Sequence, residues 1–211
     1  MFITFEGLDF CGKSTQVKLL VKYLEEKNRK LELIREPGGT HISEKIRDVL
    51  LDNKNSEMSE VTEMLLFAAS RAQLVNEVIL PKLKEGYYII SDRFHDSSIA
   101  YQGYGRQIDL DFITKLQMFV IKNALPDLTF FIDIPISEVE KRKKLFKSAP
   151  DRIESSQSLF YERVLAGYNK IAAEQKRFKR IDGLLSKEQI HNEIVKEITN
   201  YELKGLENSD V

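Results

Sequence analysis

The sequence predicts an α/β fold in which a five-stranded parallel sheet carries helices on both faces. Short apolar segments alternate with longer amphipathic segments along all 211 residues. Such alternation is typical of parallel strands joined by crossover helices. The chain length suits one domain, which we expect to span residues 1–211. Ligands bind such sheets at the carboxyl ends of the strands, so the residues that follow each strand are the first candidates for a site.

The predicted elements follow from this alternation. The five short apolar runs predicted as strands are 2–6, 31–35, 87–92, 128–133 and 177–181. Between them, apolar residues recur at the three- and four-residue spacing of an amphipathic helix. The predicted helices span 14–27, 42–51, 57–83, 110–123, 137–146, 158–176 and 187–201.

Three further segments are neither simple helices nor strands. Residues 35–40 (REPGGT) end a strand and continue into a Pro-Gly-Gly turn. Residues 141–152 are basic and include Pro150, so we expect a helix that runs into a mobile loop. This short basic lid would occupy about residues 141–153. Residues 205–211 are mostly polar, and we expect them to be frayed.

Composition and charge limit the classes of partner. Lys and Arg number 32 and Asp and Glu number 33, for a net charge of −1. A protein dedicated to a nucleic-acid polymer would show a strong basic excess, so no such partner is expected.

Cys11 is the single cysteine, so no intrachain disulfide can form, which fits a reducing compartment. No apolar run approaches ~20 residues, and no basic segment precedes Glu6. We therefore expect a cytoplasmic protein without a membrane partner.

Residues 7–14 (GLDFCGKS) match the phosphate-loop pattern G-x-x-x-x-G-K-[ST] between a predicted strand and a predicted helix. Glycines let backbone N–H groups turn towards phosphate oxygens, and the helix N-terminus adds a positive dipole end. Lys13 would reach the β- and γ-phosphates of a nucleotide, and the Ser14 hydroxyl could coordinate Mg²⁺. The residues predicted to surround these phosphates are Gly7, Leu8, Asp9, Phe10, Cys11, Gly12, Lys13, Ser14 and Thr15.

Two other predicted strands end in a carboxylate. Asp92 follows an apolar strand, and an Asp at this place can hold Mg²⁺ directly or through water. It could also cap the next helix, and the two roles are compatible. Arg93 would be a costly charge at the sheet edge unless it meets an anion, for which a phosphate is the natural partner. For Asp133 we expect a structural role.

Phe67 and Arg71 lie four residues apart on a predicted helix and share a face. An aromatic ring beside a forked donor suits a nucleobase. From the pattern alone, however, a core-edge residue with a salt bridge is the commoner interpretation. A polar and aromatic cluster follows Arg93 and comprises Ser97, Ser98, Tyr101 and Gln102.

Several ordered segments together are more specific than the phosphate loop alone. They are residues 5–9 with 14–15, 35–40, 92–94 with Ser98, 100–103 (AYQG), 126–129 (PDLT) and 151–154 (DRIE). Through these segments the sequence resembles the thymidylate kinase family over nearly its whole length. The resemblance implies the nucleoside monophosphate kinase fold with its phosphate loop, and a homodimer. The implied reaction is direct phosphoryl transfer from ATP to dTMP with Mg²⁺, giving ADP and dTDP for dTTP synthesis.

The resemblance also implies roles for individual residues. Asp9 would lie near the sugar 3′-hydroxyl and the dTMP phosphate, and Arg93 would clamp that phosphate, with Asp92 near Mg²⁺. Phe67 would stack on thymine, and Arg71 would hydrogen-bond the base. Ser98 and Gln102 would line the base pocket, and Tyr101 would crowd the 2′ position. The implied dTMP-binding set is Asp9, Pro37, Phe67, Arg71, Arg93, Ser98, Tyr101 and Gln102.

The resemblance leaves the source of one catalytic cation to this sequence. Some members of the family carry an arginine in the phosphate loop, whereas others place the cation in the lid. Position 10 is Phe here, so the lid would supply the charge, as in the bacterial type. The basic residues available are Arg142, Lys143, Lys144, Lys147 and Arg152. The expected catalytic set is Lys13, Arg93, Arg142 and Asp9.

Two alternatives stay open at this point. Another nucleoside monophosphate kinase or a deoxynucleoside kinase would use the same phosphate chemistry on a different acceptor. A nucleotide-binding regulator with a decayed site would bind ATP without turnover, and Phe10 and Cys11 are its only support. The intact residues Lys13, Ser14 and Arg93 favour an enzyme.

Overall fold

The structure is a computed structural model that describes residues 1–145, 151–153 and 158–207. Its strands are β1 (Phe2–Glu6), β2 (Leu31–Arg35), β3 (Tyr88–Asp92), β4 (Leu128–Asp133) and β5 (Phe178–Asp182). Within these ranges the five strands form one sheet in the order β2-β3-β1-β4-β5, and all four pairings are parallel. The predicted α/β fold with its five-stranded parallel sheet is confirmed.

The strand register brings the carboxyl ends of the central strands together. Phe5 of β1 pairs with Asp92 of β3, and Glu6 pairs with Phe131 of β4. The chain that leaves β1 at Gly7 therefore emerges between the ends of β3 and β4. The connection that follows β1 runs towards one edge of the sheet, to β2. The connection that follows β3 runs towards the opposite edge, to β4. Ligands of open α/β sheets bind at such a reversal.

Helices connect the strands. They are α1 (Lys13–Glu26), α2 (His41–Leu51), α3 (Glu60–Leu74), α4 (Leu80–Lys84), α5 (His95–Ser98), α6 (Leu110–Ile121), α7 (Ile136–Leu145), α8 (Ser158–Glu174) and α9 (Lys187–Glu207). Short 3₁₀ and π-helical turns span Asn53–Asn55, Val75–Ile79 and Ile99–Gly105. None of the helices in the described ranges is long and apolar enough to cross a membrane.

Apolar side chains pack against both faces of the sheet. Leu20 of α1, Val164 of α8 and Ile194 of α9 belong to one core cluster. Leu74 of α3 and Ile121 of α6 belong to another cluster, which includes residues from β1 and β3. The predicted covering of both faces is therefore present.

The predicted helix 57–83 is divided in the structure. Ser59 caps α3, because its Oγ accepts a hydrogen bond from the Thr62 N–H at 3.2 Å. A π-helical turn over Val75–Ile79 then separates α3 from α4. Pro81 has no N–H to donate to the preceding turn, and wide turns of this kind absorb such a break.

The end of the last helix also differs from the prediction. We expected the helix to end at 201 and residues 205–211 to be frayed, but α9 continues to Glu207. Tyr201 donates a hydrogen bond to Asp127 at 2.7 Å, and Glu202 accepts one from Arg29 at 3.4 Å. These two hydrogen bonds stabilise the last turns of α9, which lie beyond the apolar face of the helix. Residues 208–211 lie outside the described residues.

The lid is described in part. Helix α7 is described over Ile136–Leu145, and its predicted end at residue 146 lies outside the described residues. Residues 151–153 are described again. Lys147 of the predicted basic lid and Glu154 of the segment 151–154 lie outside the described residues. The same holds for the predicted mobile loop up to Pro150.

Candidate active site

The phosphate loop turns sharply as it leaves β1. Gly7 has φ 138° and Gly12 has φ 105°, which is the left-handed region that only glycine enters at low cost. A Cβ on Gly7 would also lie 2.5 Å from the Ile132 carbonyl oxygen of the neighbouring strand end. Gly12 precedes α1 and has no side chain to cap it, so the first N–H groups of α1 are suited to an anion.

Lys13 lies over this loop. Its Nζ donates to the carbonyl oxygens of Gly7 at 3.1 Å and Leu8 at 2.8 Å. The side chain is almost fully buried. The ammonium group is therefore fixed inside the loop, where the motif predicts it.

Phe10 and Cys11 are the unusual members of the loop. Phe10 has φ 64°, a conformation that costs roughly 1–2 kcal/mol for a residue with a Cβ, and its ring packs against the main core cluster. Cys11 is buried, with its Sγ 3.7 Å from Lys13 Nζ. Both side chains therefore fill space around the loop.

Ser14 and Asp92 meet at the mouth of the loop. Ser14 Oγ donates to Asp92 Oδ2 at 2.8 Å. Asp92 does not cap the next helix, because Phe94 occupies the N-cap position of α5. Among the residues that the structure describes, no group of three or more His, Cys, Asp and Glu side chains could hold a metal ion. A cation here would thus take a hydroxyl and a carboxylate oxygen from the protein, and its other ligands from phosphate and water, as Mg²⁺ prefers.

Arg93 joins the phosphate loop to the residues that follow β3. One guanidinium nitrogen donates to Asp9 Oδ1 at 2.6 Å and to the Tyr101 hydroxyl at 3.1 Å, and the other donates to the Gly7 carbonyl at 3.0 Å. A charge at this sheet edge is expected to meet an anion, and in the structure the carboxylate of Asp9 is that anion. Burial lowers the pKa of Arg93, but Tyr101 and Asp9 more than offset this and hold it above its usual range. The residue therefore remains charged.

Asp9 stays ionised in this environment. Burial raises its pKa, but the positive charges of Arg93 and Lys13 outweigh burial and hold the pKa below its usual range. Tyr101 donates to Asp9 Oδ2 at 3.3 Å. The loop thus presents a fixed negative group beside a fixed positive group.

A buried hydrogen-bond network lies behind Arg93, and sequence reasoning missed it. Ser97 Oγ and the Tyr168 hydroxyl donate to Glu6 Oε2 at 2.6 and 2.8 Å, and the Phe94 N–H donates to Oε1 at 2.8 Å. Burial and the charge of Asp96 raise the pKa of Glu6 to about 7. Glu6 stands directly before the motif, but Tyr168 is far away in sequence and carries no local signal.

A cavity of about 180 Å³ opens beside the loop, and all eight residues of the predicted dTMP-binding set line it. They are Asp9, Pro37, Phe67, Arg71, Arg93, Ser98, Tyr101 and Gln102. Six further lining residues are outside the predicted set, namely Glu36, Arg47, Leu51, Ser97, Asp151 and Ile153. Three of these belong to segments 35–40 and 151–154. The family resemblance therefore included these three residues but implied no role for them.

Arg71 is more fully engaged than the sequence suggested. Its Nε donates to Glu36 at 2.7 Å, one terminal nitrogen donates to Ser98 at 2.8 Å and Gln117 at 2.6 Å, and the other donates to the Phe94 carbonyl at 3.1 Å. This second terminal nitrogen also forms an ion pair with Glu36. All five N–H groups therefore have protein partners. The interpretation as a residue with a salt bridge is correct, and so is its placement in the cavity.

The turn at residues 35–40 forms one wall of the cavity. The Glu36–Pro37 peptide bond is cis, and Arg47 donates to the Pro37 carbonyl at 2.8 Å. Burial raises the pKa of Glu36, although Arg71 opposes this. Thr40 then caps α2 by accepting a hydrogen bond from the Ser43 N–H at 3.1 Å.

Arg142 reaches the outside of the phosphate loop from α7. It donates to Glu138 at 2.8 Å, to the Gly183 carbonyl at 3.0 Å, and to the carbonyls of Phe10 and Cys11 at 3.3 Å each. Of the basic residues considered in the sequence, Arg142 is thus placed beside the loop. Arg152 instead turns away from the loop to Glu63, 2.8 Å away.

Asp133 has the structural role that we expected. Its carboxylate accepts a hydrogen bond from Arg180 Nε at 2.9 Å, across the pairing of β4 with β5. It is not among the residues that line the cavity.

Comparison with known proteins agrees with this geometry. The family model described as thymidylate kinase matches residues 5–194. The chain is 48% identical to the thymidylate kinase of Fervidobacterium nodosum over 201 residues, which cover 95% of this chain and 100% of the relative. It is 45% identical to that of Chlorobaculum tepidum over 207 residues, covering 94% and 96%.

A solved structure gives the same result. The crystal structure of thymidylate kinase from Ehrlichia chaffeensis matches with a TM-score of 0.76 and 37% identity, covering 94% of this chain and 98% of that one. Fold, motifs and relatives therefore agree over nearly the whole chain. The protein belongs to the thymidylate kinase family and is a phosphotransferase that converts dTMP to dTDP.

Proposed function

We propose that the protein transfers the γ-phosphoryl group of ATP directly to dTMP, with ATP on the phosphate loop and dTMP in the cavity. The observation that carries the proposal is the place of Asp9 and Arg93. Asp9 is part of the loop, and both residues line the cavity and are bound to each other at 2.6 Å. The donor site and the acceptor site therefore meet at this pair.

The reaction needs positioning and charge neutralisation more than covalent chemistry. An oxygen of the dTMP phosphate attacks the γ-phosphorus, and the bond to the β,γ-bridging oxygen breaks, so ADP leaves. The attacking oxygen is already anionic, so no general base is required. Cations must offset the repulsion between two anionic substrates, and we assign this role to Lys13, Arg93 and Arg142.

At the acceptor phosphate, Arg93 provides the charge. Its bonds to Asp9, Tyr101 and Gly7 fix the guanidinium group, so little side-chain entropy is lost when phosphate binds. We assign Asp9 a second contact, with the sugar 3′-hydroxyl, for which an ionised carboxylate is a good acceptor.

At the other end of the cavity, Phe67 offers a flat apolar surface for thymine. Ser98 and Gln102 supply polar groups at the base edge. The N–H groups of Arg71 already have protein partners. We therefore assign Arg71 two roles: it orients Ser98, and one of its N–H groups also donates a hydrogen bond to the base. Tyr101 would exclude a 2′-hydroxyl.

The oxygen donors of Ser14 and Asp92 fit Mg²⁺, and we propose that they hold it directly or through water. The ion would supply positive charge to the phosphate oxygens of ATP. Within the protein, the 2.8 Å hydrogen bond between the two side chains keeps both oxygens at the loop.

For the lid cation we propose Arg142. Its guanidinium group lies beside the loop, and Glu138 holds it from the preceding turn of α7. A cation at this place would follow the transferred group, as arginine fingers do in other phosphoryl-transfer enzymes.

We also propose one domain over residues 1–211, a cytoplasmic location and a homodimer. Exposed apolar pairs on two adjacent helices support the homodimer, namely Val61 with Leu65 on α3 and Phe112 with Phe119 on α6. The members of each pair are four or seven residues apart, so they share a helix face. Phe119 is 81% exposed. Large exposed apolar patches are uncommon in monomers, and a second copy would present the same apolar side chains in return.

An ADP-release assay with dTMP, dUMP, dCMP, dGMP and AMP tests the acceptor. We expect dTMP to give the highest kcat/KM. A preference for AMP or dCMP over dTMP by more than about tenfold would favour another nucleoside monophosphate kinase and contradict the base-pocket assignment. ATP binding without turnover of any acceptor would indicate the regulator instead.

A further inference from the structure

Glu63 continues the helix face that carries two residues of the proposed base site. Glu63, Phe67 and Arg71 are spaced four residues apart on α3, so they follow one another along one face. Phe67 and Arg71 line the cavity. Glu63 lies one turn further, behind the cavity wall, and is 1% exposed. The mechanism of phosphoryl transfer leaves this buried carboxylate without a role.

The carboxylate of Glu63 accepts hydrogen bonds from two side chains and forms an ion pair with a third, Arg152. Oε1 accepts from Gln102 Nε2 at 3.0 Å and from Arg106 Nε at 3.3 Å. Oε2 accepts from a terminal nitrogen of Arg106 at 3.1 Å, and a terminal nitrogen of Arg152 lies 2.8 Å away. Gln102 and Arg106 follow β3, whereas Arg152 belongs to the end of the basic lid.

The short segment 151–153 alternates its side chains between the cavity and Glu63. Asp151 and Ile153 line the cavity. Arg152 turns the other way, where its Nε donates to the Leu50 carbonyl at 2.8 Å and its guanidinium group meets Glu63. Holding Arg152 therefore also holds the two neighbours that face the nucleotide site.

Arg106 anchors the other side of the network. Its guanidinium carbon lies 4.5 Å from the centre of the Phe160 ring of α8, and its nitrogens bind both oxygens of Glu63. Gln102 lies one helical turn before Arg106 and lines the cavity. The carboxylate is thus the common partner of two cavity walls that are far apart in sequence.

We propose that Glu63 is a positioning residue for dTMP, whose carboxylate holds Gln102 and segment 151–153 in the relative position that the nucleotide requires. This inference rests on the proposed function of the cavity. Glu63 does not touch the reacting atoms, and it acts through Gln102 and Arg152.

Charge explains why an amide would not replace this carboxylate. The side chains of Arg106 and Arg152 are 18% and 9% exposed, so water screens their mutual repulsion weakly. The single negative charge of Glu63 is paired with both and offsets their repulsion. Burial raises the pKa of Glu63, but Arg106, Gln102 and Arg152 outweigh burial and keep it ionised. Glu63→Gln keeps the volume but leaves two confined cations without their shared anion.

Steady-state kinetics with dTMP and ATP varied separately test the proposal. We expect Glu63→Gln to raise the KM for dTMP by at least about tenfold, since hydrogen bonds to charged groups are worth this much. The KM for ATP should stay within about twofold, because the network does not touch the phosphate loop. The matched control is Glu60→Gln, an exposed residue one turn earlier on α3, which should change neither KM.

A second variant separates positioning from folding. Arg152→Gln leaves Glu63 paired with Arg106, so it carries the test even if Glu63→Gln does not fold. It should also raise the KM for dTMP, and the double variant should raise it no more than the larger single effect. Such non-additivity is expected of residues that act through one contact.

Three results would overturn the proposal. The first is an unchanged KM for dTMP in the folded variants, and the second is an equal rise in KM for dTMP and for ATP. The third is a double variant whose rise in KM for dTMP is the product of the two single rises. Wild-type protein that does not turn over dTMP would instead refute the proposed function, so the two failures are distinguishable.

Discussion

Glu6 should make the stability of the protein fall as the pH rises through neutrality. Its carboxyl group is fully buried and accepts hydrogen bonds from Phe94, Ser97 and Tyr168. Even so, burial and the nearby charge of Asp96 raise its pKa to about 7. The perturbation that tests this is Glu6→Gln, which keeps the shape and removes the titration.

The size of the effect follows from the difference between the unfolded and folded states. A pKa that rises from 4.5 to about 7 on folding corresponds to about 3 kcal/mol, since each factor of ten in acidity is about 1.4 kcal/mol. Between these two values the folded state binds more protons than the unfolded state, so the free energy of unfolding decreases with pH. The stabilisation is complete below pH 4.5 and is lost as the pH rises through 7.

Urea unfolding at several pH values between 5 and 8 measures this effect. The sequence contains no tryptophan, so circular dichroism is the appropriate signal. The amide of Glu6→Gln will carry its own cost, because it cannot accept every hydrogen bond that Glu6 accepts, but this cost does not depend on Glu6 titration. The difference between wild type and variant also cancels other groups, such as His95, which burial keeps neutral with a pKa of about 4.

We therefore expect the wild type to lose most of about 3 kcal/mol relative to Glu6→Gln between pH 5 and pH 8. A difference that stays constant with pH would show that Glu6 titrates as it does in the unfolded chain. A difference that grows in favour of the wild type would mean that Arg93 and the three donors dominate over burial. Either result refutes the reasoning.

Three further predictions concern the site and the assembly. Lys13→Ala should nearly abolish turnover, with a loss of about 10²–10³-fold or more in kcat. Calorimetry should detect unchanged dTMP binding, because Lys13 does not line the cavity. Weakened dTMP binding would contradict the assignment of Lys13 to the ATP site alone. Arg142→Gln should lower kcat by roughly 10³-fold, by analogy with arginine fingers. Substitution of the exposed Lys144 by Gln should have little effect on kcat. A larger loss for Lys144→Gln than for Arg142→Gln would assign the catalytic role to Lys144. Phe119→Asp should convert a dimer to a monomer in light scattering, and a wild-type monomer would disprove the proposed homodimer.

The sequence predicted the sheet and the phosphate loop because both depend on local patterns. The three central strands are short and mostly apolar, whereas the edge strands β2 and β5 mix apolar with charged residues. The glycines, Lys13 and Ser14 stand at fixed spacing in the loop. Ile99–Gly105, in contrast, was not predicted as helical. Gly103 and Gly105 disfavour a helix, and packing of this segment against α8 overrides that preference.

Contacts between distant parts of the chain could not be predicted from one sequence. Tyr168 reaches Glu6, and Arg152 reaches Glu63, only because the fold brings α8 and the lid end against the sheet and α3. Arg71 shows the intermediate case. Its spacing from Phe67 favoured a core-edge residue with a salt bridge, and only the family resemblance implied a place at the base. Its hydrogen bonds to Glu36, Ser98 and Gln117 depend on residues that are distant in sequence.

The pair formed by Asp9 and Arg93 has a consequence for how the enzyme could change its substrate. Because we assign these two side chains to the place where ATP and dTMP meet, a substitution at either one should alter both substrates at once, and selection for a new acceptor would first damage the donor site. Changes at Phe67, Ser98 and Gln102, which we assign to the base, would leave that pair intact. New acceptor specificity, in evolution or in protein engineering, would therefore arise at the far end of the cavity while the charged pair stays constant.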